Sequence, residues 1–146
     1  MATRLSAHLE NNKILHQYQF GFRSNHSTGT SLALTDVTDN ILQQLDNHNH
    51  VIGIYLDLQK PLDTVNHETL LFKLYNYGVR GIAYEWFSSY LSDRYQFTYV
   101  NSVCSDLAKI RCGVSQGSVL GPILFLIYVN DIANACLLYT SDAADE

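Results

Sequence analysis

Two carboxylates flanking a lysine and a proline are the first residues of this chain whose types and spacing could do chemistry. Asp57 ends the apolar run "VIGIYLD", and Asp63 follows six residues later at the end of "LQKPLD". A carboxylate at the end of a buried strand sits on a rigid support, and its oxygens suit a hard cation such as Mg²⁺. The same placement also describes a strand that simply stops in solvent, so Asp57 by itself leaves both readings open. Two other places offer phosphate chemistry. Arg23, in "QFGFRSNHST", carries a guanidinium able to pair bidentately with phosphate, and it equally fits a surface arginine. Gln116 and Gly117, in "GVSQGS", stand just before an apolar helical stretch. A glycine there permits close backbone approach, and a helix start favours an anion.

The elements that must position these residues follow from pattern. Leu5, Leu9 and Ile14 predict a short opening helix, and Gln17–Thr28 reads as a polar loop. Ser27, Thr28 and Thr30 are N-cap candidates for a helix with Leu34, Val37, Ile41 and Leu45 on one face. The β-branched and aromatic run Val51–Asp57 predicts a buried central strand, which Pro61 forbids from continuing. Asn66 can cap a helix through "HETLLFKLYNY" that Gly78 ends, and a second helix from about Ile82 to Leu91 holds Trp86 and Tyr90 on one side. Tyr95, Phe97 and Tyr99 alternate in "YQFTYVNSV", which pairs with "LAKIRC" across a "CSD" turn. A last helix follows "GVSQGS", with Pro122 tolerated in its first turn. The sum is an α+β domain, helices packed on a small antiparallel sheet.

Composition sets bounds. The chain has 146 residues, 47% hydrophobic and 16% charged, enough for one folded domain. No apolar run reaches the roughly 18–20 residues that cross a bilayer, so no membrane partner is expected. Cys104, Cys112 and Cys136 show no metal-ligand spacing and read as reduced thiols, which suggests an intracellular protein. "DNHNH", Asp46–His50, reads as a polar turn rather than a metal site. The net charge of −5 speaks against a free-standing nucleic-acid binder.

Three blocks in order carry a family resemblance that changes this balance. "YLDLQKPLDTVNHETLL" resembles the first catalytic motif of the reverse transcriptases of non-LTR (LINE-type, jockey-like) retrotransposons, which reads close to F-L-D-L-S-K-A-F-D-T-V. "QFGFRSNHST" is similar to their fingers motif, and "GVSQGSVLGPILFLIYVNDI" to their G-V-P-Q-G-S-V-L-G-P motif. The resemblance implies the right-hand polymerase fold, here the end of the fingers and most of the palm. It implies RNA-directed DNA synthesis by two-metal nucleotidyl transfer, with two Mg²⁺ ions, an RNA template, a DNA primer and deoxynucleotide triphosphates. Asp57 is then the catalytic metal ligand, with the Leu58 backbone carbonyl beside it as a second donor. Arg23, Leu58, Leu62, Gln116 and Gly117 fall on the nucleotide side of the site. Asp63 matches a position that is acidic without being a ligand, and a cap or turn acceptor is its preferred reading.

The chain departs from the pattern at Pro61-Leu62, where the family has Ala-Phe, and at Ser115, where it has proline. The family aromatic resembles a steric gate against a ribose 2′-hydroxyl, and leucine makes a softer wall. The second motif, an aromatic-x-Asp-Asp hairpin, is expected soon after "LIYVNDI". The chain instead runs "ANACLLYTSDAADE", and "CLLYTSDAADE" back-translates into the read-through of a transposase sequencing adapter. Residues 1–135 are therefore expected to be a partial reverse transcriptase domain, inert alone, and residues 136–146 a non-biological tail. Three acids lie in that tail, so without it −5 becomes −2 and the charge argument against nucleic acid fades. Two rivals remain: a group II intron maturase-like reverse transcriptase, and a non-catalytic α/β binding module with Asp57 as a mere strand terminus.

Overall fold

The computed structural model describes residues 1–23 and 30–132. In chain order the elements are α1 (Ala2–Asn11), α2 (Thr30–Asp46), α3 (His67–Asn76), α4 (Gly81–Leu91), β1 (Tyr95–Gln96), β2 (Tyr99–Val100), β3 (Val103–Cys104), β4 (Ala108–Lys109) and α5 (Leu120–Val129). Helices with two short antiparallel ladders make the expected α+β composition.

The core is helical. Leu5 and Leu9 of α1, Leu70 and Leu74 of α3, and Phe87 and Leu91 of α4 are each spaced i, i+4, so each pair shares one face and is buried. They meet Leu124, Leu126 and Ile127 of α5, with Val65 and Val114 filling in from the loops. Burying one such side chain stabilises the fold by about 1.5–3 kcal/mol. Caps set the helix limits. Asn66 Oδ1 accepts from Thr69 N at 2.9 Å, as its sequence position predicts. Gly78, at φ +88°, turns the chain so that Val79 N reaches Leu74 O at 3.0 Å and closes α3. Ile14 lies beyond α1 rather than in it. Lys13 takes φ +51° and Ile14 N bonds Leu9 O at 2.9 Å, a helix stop built without glycine.

Side chains then bolt the helices together. His8 Nε2 donates to Tyr77 O at 2.7 Å, tying α1 to the end of α3. Lys73 reaches the C-terminal end of α5, donating to Tyr128 O and pairing with Asp131, where a cation offsets the unpaired carbonyls. Asn130 accepts from His16 N at 2.8 Å and donates to Ile14 O at 2.8 Å and to the Tyr77 hydroxyl at 3.2 Å. Asn130→Ala leaves those groups without their partner and is expected to cost about 1–3 kcal/mol, read as a lower urea midpoint at unchanged slope.

Three expectations are corrected. Val51–Asp57 is not a strand: its residues are exposed, Ile52 and Tyr55 each to 87%. A central strand exists only through ladder partners on its edges, and among the described residues none pairs with it. Tyr95 lies opposite Lys109 as expected, but Tyr99 pairs with Cys104 of the expected turn rather than with a residue of "LAKIRC", because the chain reverses at Asn101–Ser102 and not at "CSD". Both turn residues have positive φ, 48° and 63°, the geometry that matches strand twist in a two-residue loop. The helices pack on one another, not on the sheet, whose strand residues are all exposed. The helix α2 forms where predicted, yet Leu34, Val37 and Leu45 of its apolar face are exposed. Trp86 and Tyr90 do share one side of α4, stacked with ring centres 5.3 Å apart. The capping positions Ser27 and Thr28, and residues 133–146 with the proposed tail, lie outside the described residues.

Candidate active site

The chain between Lys60 and His67 is locked against the chain between Cys112 and Gln116. Lys60–Asp63 is a turn, with Asp63 N donating to Lys60 O at 3.0 Å and Thr64 Oγ1 to Pro61 O at 3.1 Å. Pro61 suits it because its ring fixes the φ such a turn needs. Gly113 N then donates to Val65 O at 2.7 Å, Val114 N to Leu62 O at 2.8 Å, and His67 Nε2 to Gly113 O at 2.7 Å. The approach is backbone on backbone. A Cβ on Gly113 would meet Asp63 O at 2.9 Å, and the residue has φ +90°, so only glycine fits.

The loop ends in a second turn at Gln116–Gly117, with Gly117 at φ +78° and open space before it. Ser118 Oγ donates to Ser115 O at 2.7 Å and accepts from Gly121 N at 2.9 Å, which satisfies the first turn of α5. Pro122 sits in that first turn as its missing N–H allows. A groove of about 790 Å³ opens beside the loop, lined among others by Asp63, Ser115 and Gln116.

The predicted site residues divide between this locus and two other places. Leu62, Gln116 and Gly117 come together here. Leu62 is half-buried against the core, and the Gln116 amide faces the Asp63 carboxylate across a long 3.5 Å contact. Asp63 thus serves its turn through its backbone N–H, and Asn66 is the cap. Asp57 and Leu58 lie on the exposed segment that leads into the turn. Arg23 is on the α1 side. Its Nη2 and Nε bind Glu10 at 2.6 and 2.9 Å, and Nη1 binds the carbonyls of His16 and Gln19. The Glu10 hydrogen bond outweighs the opposing effect of burial and raises the Arg23 pKa further. Gly113, His67 and Ser118 were not singled out from sequence. Only Gly113 carried a signal there, a glycine opening the "GVSQG" block.

Among the described residues no three His, Cys, Asp or Glu side chains gather as a metal site. The donor chemistry of the Asp57 carboxylate and Leu58 carbonyl fits Mg²⁺, but a single carboxylate is too few for a pair of ions.

The reverse transcriptase (RNA-dependent DNA polymerase) family matches residues 1–141. The chain belongs to that family. It is 34% identical over 138 residues to a probable RNA-directed DNA polymerase from transposon BS of Drosophila melanogaster, covering 90% of this chain and 14% of the relative. The RNA-directed DNA polymerase from mobile element jockey of the same fly is 34% identical over 120 residues, 82% of this chain and 13% of the relative. A retrovirus-related Pol polyprotein from type-1 retrotransposable element R2 of Popillia japonica is 30% identical over 79 residues, 54% of this chain and 13% of the relative. No solved structure matches significantly. The resemblance to the non-LTR reverse transcriptases is therefore borne out, and the reading as an unrelated binding module falls away. These relatives are mobile-element polymerases, which favours the retrotransposon over the intron maturase. The reverse transcriptase chain spans about a seventh of the length of these relatives, and none of its described helices is long and apolar enough to cross a membrane.

Proposed function

We propose that the chain is the fingers-end and palm portion of an intracellular RNA-directed DNA polymerase that copies an RNA template from a DNA primer with deoxynucleotide triphosphates. The observation that carries this reading is the backbone clamp between Leu62–His67 and Gly113–Val114, which joins two family motifs some fifty residues apart into one locus. In the parent, Asp57 and the Leu58 carbonyl would hold one Mg²⁺, with further donors from outside the described residues. A bound pair of ions supplies activation of the attacking hydroxyl and charge neutralisation at the phosphates. Gln116 and Gly117 would line the nascent base pair, and Leu62 the sugar. Arg23 could reach a triphosphate only by exchanging Glu10 for phosphate, an exchange of one bidentate oxyanion for another.

Primer extension on RNA by the parent-length polypeptide tests the reading. Template-dependent incorporation that stops with EDTA is expected, and none at all would sink it. The 146-residue chain alone is expected to show no extension above background, one carboxylate being too few for in-line transfer. The adapter origin of residues 136–146 is likewise a proposal, and finding "CLLYTSDAADE" encoded in independent genomic DNA would end it.

Leu62 gives a finer test. In the parent, Leu62→Phe is expected to raise the preference for deoxy- over ribonucleotides by about ten- to two-hundredfold, the scale of discrimination by shape. Template affinity should hardly change. Pro61→Ala belongs in the same series because the ring fixes the angle of the turn. Competition between paired nucleotides reads the outcome, and unaltered sugar selection in both single variants and the double would remove Leu62 from the sugar wall.

A further inference from the structure

In the clamp between Leu62–His67 and Gly113–Val114, two bonds run backbone to backbone and the third comes from a side chain, His67 Nε2 on Gly113 O at 2.7 Å. A carbonyl can only accept, so the imidazole carries a hydrogen on Nε2. The ring is presented from a rigid place. His67 is the first residue of α3, directly behind the Asn66 cap, and it is half-buried. What the ring holds is a single peptide plane. Gly113 C=O and Val114 N–H belong to that plane, and the N–H donates to Leu62 O at 2.8 Å. In a trans peptide the two groups point in opposite directions, so His67 grips one side of the plane and Leu62 the other. The preceding peptide is held separately, by Gly113 N on Val65 O at 2.7 Å.

This plane is where the loop carrying Gln116 and Gly117 begins, and Leu62 is what it is fastened to. Gly113, without a Cβ and at φ +90°, does little by itself to stop the plane from turning. The His67 bond opposes that rotation. Without it the Gly113 carbonyl, on a half-buried residue, would turn toward water, and the Val114 N–H on the same plane would leave Leu62 O. Hydrogen bonds linked through one peptide also polarise each other, so the pair strengthens together.

We infer that His67 is a positioning residue for the incoming nucleotide: through the Gly113–Val114 peptide it sets how far the Leu62 wall stands from Gln116 and Gly117. The inference rests on the polymerase reading of this locus and adds to it the group that fixes the width of the nucleotide pocket. In this role His67 touches neither substrate nor metal and moves no proton. The neutral ring with its hydrogen on Nε2 and the protonated ring both donate from that atom, so only a donor at that reach is needed. A glutamine amide nitrogen stands the same number of bonds from Cβ and supplies one. An asparagine amide is one bond shorter and falls away from the carbonyl.

The test has a structural and a kinetic arm. In the 146-residue chain, His67→Ala should cost the Val114 amide about two- to tenfold of its hydrogen-exchange protection, the effect of one hydrogen bond. The Gly113 amide, on the preceding peptide and bound to Val65 O, should keep its protection. His67→Gln should restore the Val114 amide and His67→Asn should not. Equal loss at both amides, or loss at neither, would overturn the inference, and so would an asparagine variant that behaves like glutamine. In the parent-length polypeptide, His67→Ala should lower kcat/KM for deoxynucleotides by about ten- to a hundredfold, the scale of a misplaced substrate, while primer–template affinity holds. His67→Gln should recover most of that loss with the pH profile of kcat unchanged. The gain in sugar preference from Leu62→Phe should shrink by at least about twofold in the His67→Ala background, the coupling expected within one hydrogen-bond network. Additive effects of the two substitutions would sever His67 from the Leu62 wall, and a glutamine variant as poor as alanine would mark a proton carrier instead. Either result overturns the inference and leaves the polymerase reading intact, since that reading fails only if the unaltered parent does not extend a primer.

Discussion

Asp57→Asn in the parent-length polypeptide is expected to stop primer extension while template binding survives. Asparagine keeps the shape of the side chain and removes the charge, so the change isolates the electrostatic role of this one carboxylate. Loss of a single preorganised electrostatic contact at a reacting centre typically lowers kcat by about 10²–10³-fold, and the loss of a metal ligand should be at least as large. Asp57 makes an unusually clean test because its residue is exposed and lies in no regular element. Replacing it disturbs no packing, and any loss of activity reports chemistry rather than folding. Steady-state extension measured beside template affinity decides the matter. Equal activity in the asparagine variant would move the role elsewhere, with Asp63, six residues on and facing Gln116, the next carboxylate to try.

The second large effect belongs to Gly113→Ala. The residue has φ +90°, and an added methyl would stand 2.9 Å from Asp63 O and 3.1 Å from Asp63 Cα, all backbone atoms with nowhere to turn. A non-glycine residue in such a conformation costs about 1–3 kcal/mol, and the overlap with fixed backbone adds to it. The total is expected near 3–5 kcal/mol, among the largest effects of single substitutions. Denaturant unfolding of the 146-residue chain measures it. The consequence should also be local. If the chain rearranges to relieve the overlap, the bonds Gly113 N to Val65 O and His67 Nε2 to Gly113 O are the first to break. The amides of residue 113 and Val114, which donate to Val65 O and Leu62 O, would then lose their protection from hydrogen exchange ahead of the α3 interior. Full stability in the alanine variant would mean that the two motifs are held together by something other than this close approach.

Local signals written in consecutive residues were legible without the fold. Asn66 and Gly78 bracket α3 through a capping side chain and a permissive backbone, and the sequence pattern located α2 and α4 close to their observed limits and the start of α5 after "GVSQGS". Pro61 stands in the Lys60–Asp63 turn, where its fixed φ and missing N–H act without partners from elsewhere in the chain. The family, too, was legible, since three ordered blocks of residue types carry more information than any single site. The hairpin shows the boundary of such reasoning. The pairing of Tyr95 with Lys109 followed from alternation, but Tyr99 met Cys104 and the reversal sat at Asn101–Ser102, because which two residues accept positive φ depends on the register of both strands together.

What only the tertiary structure decided is which groups meet. Composition and alternation do not state that Arg23 is engaged by Glu10, that Leu62 is locked by Val114, or that Arg94 and Arg111 share a groove with Gln116. Each of those contacts joins residues 13 to 52 positions apart, or more weakly a surface shared by several segments, and none leaves a periodic trace. The segment Val51–Asp57 makes the same point from the other side. Its residues have every preference a strand requires, yet a strand is a property of at least two segments, and among the described residues no second one lies beside it. Preference belongs to the sequence because it acts within a few neighbouring residues. Pairing, burial and the assembly of a site belong to the fold because they are decided by whatever arrives from elsewhere in the chain.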